Sequence, residues 1–134
     1  AVVDMDIYSV LKTYACGYAN VKTQHQLALI VFGTDGAGNC RIIRQAIEDE
    51  RFKGSLIGSN PNGDKGKGGY FIMPDLPSDE DLRAYRDYLD RELRSLKERF
   101  ARRRVEMEVF QKRFGNEIQF EFGFEKEFKF KEAV

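Results

Sequence analysis

No glycine or proline interrupts residues 78–114, and that single run limits what the chain can fold into. Ser78-Asp79-Glu80-Asp81 opens it with a serine able to cap a helix and three acids that complement the positive end of the helix dipole. Leu82, Leu89, Leu93, Leu96, Phe100, Met107, Phe110 and Phe114 then recur at steps of three, four or seven, and Tyr85 is expected on the same side. At 1.5 Å per residue the helix would extend about 54 Å. That outgrows the globular unit residues 1–77 can build, so part of the stripe predicts a second chain.

Charge follows the same division. The chain has 134 residues, with 22 Lys and Arg against 22 Asp and Glu, so the formal net charge is zero. Neutrality argues against simple coating of nucleic acid. Locally the balance is broken: residues 79–92 carry three bases and six acids, whereas 97–113 carry seven and three. Two such helices packed antiparallel face unlike poles, and packed parallel they face like ones. The polarity therefore predicts an antiparallel homodimer through Leu82, Leu89, Leu93, Leu96, Phe100, Met107 and Phe110. Arg102-Arg103-Arg104 is assigned to that pairing in preference to a nucleic-acid contact or to a helix C-terminus that favours cations.

Ahead of the long helix, Asp6 to about Tyr14 places Ile7, Val10, Leu11 and Tyr14 on one helical face. Residues 15–20 read as a break of small residues. Thr23-Gln24-His25-Gln26 has the form of a capping box, followed by Leu27, Ile30 and Val31 at helical spacing. Three glycines in Gly33–Gly38 predict a turn. Asn39 is then expected to cap a helix from Cys40 to about Phe52, with Ile43, Ala46 and Ile47 inward and Arg41, Arg44, Gln45 and Glu48 outward. Two β-prone runs, Ser55–Ser59 and Tyr70–Met73, flank a glycine-rich loop with the turn dipeptide Asn62-Gly63, which predicts a hairpin. Past Gly115, Ile118, Phe120, Phe122, Phe124, Phe128 and Phe130 alternate with charged or polar residues, the pattern of a strand. This tail either packs on the body or a partner subunit, or recruits a protein by strand addition. The expected fold class is α+β, mainly α, divided as 1–77, 78–115 and 116–134.

Helix, helix, glycine turn, helix and a hairpin with a basic loop is an order that resembles the winged helix-turn-helix, most closely the small winged-helix proteins of phages and mobile elements. The features that carry the resemblance are the capping box at Thr23, the Gly33–Gly38 turn, the Asn39–Ile47 helix start and the Lys67-Gly68-Gly69-Tyr70-Phe71 lead-in to the returning strand. The resemblance covers residues 22–73. It implies that the third helix enters the DNA major groove and the hairpin tip touches phosphate or the neighbouring groove. Asn39, Arg41, Arg44, Gln45, Lys65 and Lys67 would then be the DNA-contacting residues. Arg pairs bidentately with guanine, Gln with adenine, and Lys neutralises phosphate.

Catalytic and metal patterns are missing from the sequence. Gly63–Gly68 lacks the spacing of a phosphate-binding loop, and Asn60-Asn62-Asp64 departs from a calcium loop at Lys65 and Phe71. Cys16 and Cys40 are expected to be small buried residues in a reducing compartment, and His25 to face solvent or a capping turn. No apolar run suits a membrane span, and Ala1–Tyr8 lacks the features of a secretory signal. The expectation is a cytoplasmic, non-enzymatic, dimeric protein that binds double-stranded DNA without a cofactor, as a transcriptional regulator or replication accessory factor. The alternative is a winged-helix module that docks on or inhibits a nucleic-acid-processing protein.

Overall fold

The computed structural model describes residues 5–61 and 68–115. It is mainly helical, with a small antiparallel sheet and a long C-terminal helix. In chain order the elements are α1 (Ile7–Tyr14), a 3-10 turn (Tyr18–Asn20), α2 (Gln24–Phe32), α3 (Ala37–Phe52), β1 (Ile57–Asn60), β2 (Gly69–Ile72) and α4 (Asp79–Phe114). The Asn62-Gly63 turn, Lys65, Lys67 and the alternating tail lie outside the described residues. Contacts divide the chain into Ala1–Leu93 and Arg94–Val134, so the first turns of α4 belong to the first unit.

α1, α2 and α4 start where a side chain can satisfy the first amides. Asp6 accepts from the Ser9 amide, and Thr23 and Gln26 form the reciprocal capping box, with bonds of 3.1 and 2.8 Å. Gly33, at φ 77°, closes α2. The turn is shorter than expected, because α3 already begins at Ala37 and includes Gly38. Asn39 is accordingly not the cap. The Gly36 carbonyl accepts the first helical bond, from the Cys40 amide, while the Asn39 side-chain amide reaches back to Thr34 Oγ1 at 2.8 Å.

The first unit has two layers on the sheet. Ile7 and Leu11 of α1, Leu27 and Ala28 of α2, and Cys40, Ile43 and Ile47 of α3 pack against Ile57 and Ile72. Cys40 is buried as expected, and Cys16 only partly so. Two inward assignments change: Ile30 and Tyr14 are exposed, and Ala28 takes the buried place on α2. On the opposite sheet face, Phe71 meets Tyr18 and Tyr85 edge-on, with ring centroids 5.6 and 6.4 Å apart. Gly58 makes that possible, since a Cβ there would stand 2.5 Å from the Phe71 ring. Tyr85 therefore turns toward the sheet with Tyr88, away from the leucine stripe.

Strand β2 is hydrogen-bonded on both edges. Against β1 the register is Ile57↔Ile72 through Asn60↔Gly69. Along its other edge run residues 15–22, whose first part, 15–20, the sequence reads as a break: Gly17 donates to the Ile72 carbonyl and Ile72 to Ala15, both at 2.9 Å. Farther along, Lys22 and Tyr70 exchange bonds of 3.0 and 2.8 Å. At Gly69, φ is +131° and a Cβ would lie 2.1 Å from the Lys22 carbonyl oxygen, so only glycine fits this approach.

α4 docks through its N-terminus. Ser78 Oγ accepts from the Asp81 amide at 3.1 Å and the Asp81 carboxylate from the Ser78 amide at 3.0 Å. Asp81 also accepts from the Tyr18 amide at 2.8 Å, which ties α4 to the 3-10 turn.

Candidate nucleic-acid interface

α3 divides its surface by helical period. Cys40, Ile43 and Ile47 are buried, so Arg41, Arg44, Gln45 and Glu48, offset by one or two positions, are turned outward. The structure thus brings Arg41, Arg44 and Gln45 together on one exposed face, with Asn39 half-buried at its N-terminal end. Among the described residues neither Arg41 nor Arg44 makes an ion pair, whereas the acids behind them are engaged. Glu48 pairs with Arg51 at 2.5 Å, and Asp49 accepts from the Gln45 side-chain amide at 3.0 Å. Arg51 and Lys53 thus offset Glu48 and Glu50, Asp49 keeps its charge, and Arg41 and Arg44 are the cations of α3 that make no ion pair among the described residues.

Arg51 is the residue that sequence reasoning passed over. Its Nε donates to the Ile57 carbonyl at 2.9 Å, and its guanidinium lies 4.9 Å from the Tyr88 ring centroid and 5.8 Å from that of Tyr70. One cation thus fixes the end of α3 to β1 and to α4. Burial raises the Tyr70 and Tyr88 hydroxyls above their ordinary pKa, and the Arg51 charge opposes that rise. No spacing rule marks an arginine as a clamp of this kind.

Beside α3, the first turn of α2 and the base of the hairpin enclose a cleft of about 350 Å³ lined by Thr23, Gln24, His25, Asn60, Gly68 and Tyr70. His25 Nδ1 lies 3.5 Å from both Asp35 Oδ2 and Cys40 Sγ, at the α2–α3 turn, and its ring is more than half exposed. A second cleft of about 310 Å³ is lined by Tyr18, Asn60, Arg83, Asp87 and Arg91, and Arg91 there donates to the Ser59 carbonyl at 2.6 Å. Acids and bases both line it. Among the described residues no group of three or more His, Cys, Asp or Glu side chains is placed to hold a metal ion, and no helix is long and apolar enough to cross a membrane.

No protein-family model matches the chain, and no curated protein or solved structure is significantly similar to it.

Proposed function

We propose that the first unit is a winged helix-turn-helix module that binds double-stranded DNA, with α3 as its recognition helix and the β1–β2 hairpin as its wing. The observation that carries the reading is the order of parts. A helix, an edge segment paired to β2, two helices and a hairpin follow one another, and the second of the paired helices turns Arg41, Arg44 and Gln45 outward. In this reading Arg41, Arg44 and Gln45 meet base edges or phosphates, Asn39 stands at the leading end of the helix, and Lys65 and Lys67 serve the wing. The protein acts by binding, as a regulator or replication accessory factor of phage or mobile-element type.

Fluorescence anisotropy with duplex DNA over a salt series tests this. Binding should weaken as salt rises, and Arg41→Ala with Arg44→Ala should lower the slope of log K against log salt by about one for each phosphate that is no longer neutralised. If either arginine reads a base, its removal should cost about 1–3 kcal/mol of discrimination. Binding that is absent at low ionic strength would refute the DNA reading.

A second reading is favoured by Leu29, Ile30 and Ile42, large apolar side chains exposed on α2 and α3. In it the same module docks a nucleic-acid-processing protein. Loss of that docking on Ile42→Asp, with no DNA binding by the parent protein, would select it.

A further inference from the structure

Over the first turns of α4 the leucine face is not buried by the first unit. Asp81, Ala84, Tyr85, Tyr88 and Arg91 supply the face toward the sheet and its clefts. Leu82, Leu89 and Leu93, on another face of the same turns, are 52%, 43% and 62% exposed. Farther along, Leu96, Phe110 and Phe114 are exposed as well. From these residues we infer that α4 is the self-association surface of the protein and pairs antiparallel with α4 of a second copy.

Two arginines decide the direction. Continuous helix places Leu82, Leu89, Leu96, Arg103 and Phe110 in one row, seven apart, and Arg86, Leu93, Phe100, Met107 and Phe114 in a second row offset by four. Side by side in parallel register, Arg86 and Arg103 would each meet their own copy inside the seam, two layers of like charge taken out of water. Antiparallel about residue 98, Leu82 meets Phe114 of the partner subunit, Leu89 its Met107 and Leu96 its Phe100. Arg103 then meets the partner's Leu93, and Arg86 its Phe110. No arginine in the seam faces another, whereas sliding the pair by one heptad toward the N-terminus would set Arg86 against Arg103. The same direction lays the acidic stretch 79–92 along the basic stretch 97–113. Lys97 and Arg99 approach their own copies at the two-fold axis, so the middle of the seam is held by its apolar layers.

Light scattering of the full chain at micromolar concentration should give twice 15.5 kDa. Leu89→Glu with Leu93→Glu, at positions already exposed in the folded unit, should keep the helical signal and weaken the dimer by about a hundredfold or more, because a charge is forced into a desolvated seam. Direction is read by oxidising a mixture of Leu82→Cys and Phe114→Cys proteins carrying Cys16→Ser. Antiparallel pairing joins unlike chains, because the two Leu82 positions stand about 48 Å apart along the seam. Leu82→Cys linked to itself would overturn the direction. A mass of 15.5 kDa would overturn the inference outright, including the case in which removal of residues 116–134 then produces a dimer, since that would make the tail the occupant of the stripe. The result is independent of whether DNA is bound.

Discussion

α3 and α4 carry the same kind of apolar periodicity and spend it differently. On α3 the stripe Cys40, Ile43, Ile47 is buried against α1, α2 and the sheet. On α4 the leucines stay in water, and the turns that dock do so through an aspartate, tyrosines and an arginine. Hydrophobicity alone ranks the leucine face of α4 as the one to bury. Geometry reverses this, because the sheet face exposes Phe71 over the gap left by Gly58, and an aromatic edge fits that gap. A periodic stripe thus marks a face that a helix can bury, and its surroundings decide whether the chain's own fold uses it.

Mutations can break or sharpen that contrast. The largest effect should come from Ile47→Ala, which empties a fully buried site on α3 and should cost about 2–5 kcal/mol in chemical denaturation. Asp81→Asn should follow at about 1–3 kcal/mol, since one carboxylate serves the Tyr18 and Ser78 amides together. The Tyr18 amide is also the main reason the Asp81 carboxyl sits below its ordinary pKa, with the Ser78 bonds adding to it and burial opposing. A depressed folded value means that this stabilisation is complete above the unfolded pKa of about 3.9 and is lost as pH falls through the folded one. Acid titration of the parent should therefore show a loss of stability below about pH 4 that Asp81→Asn reduces, Asp6 contributing in the same direction. Thr23→Ala should cost about 1 kcal/mol by removing the α2 cap. Leu93→Ala should change denaturation of the dilute monomer by no more than about 0.5 kcal/mol, in contrast with Ile47→Ala. A large destabilisation there at nanomolar concentration would place Leu93 in an intramolecular core.

The parts of the fold that sequence reasoning reached are those governed by local rules. Thr23 with Gln26, Ser78 before three acids, and Ile43 with Ile47 are decided within one turn of helix, and α2, α4 and α3 follow from them. Residues 15–22 were hidden because their pairing to β2 is interrupted by a 3-10 turn, so no alternation of period two survives. The start of α3 was displaced because the cap position falls on Gly36, which has no side chain to announce it. On the candidate interface, the exposure of Arg41, Arg44 and Gln45 was readable from the apolar stripe beside them. The clamping of Arg51 was not, since Ile57, Tyr70 and Tyr88 come from three other segments.

That clamp has a mechanical consequence. The guanidinium that ends α3 rests on the Tyr88 ring and holds the β1 backbone. Axial rotation of the first turns of α4 must either drag Arg51 along or peel it from Tyr88. A torque applied to α4 therefore has a path to the last turn of α3 through this side chain, which lies outside the aliphatic core.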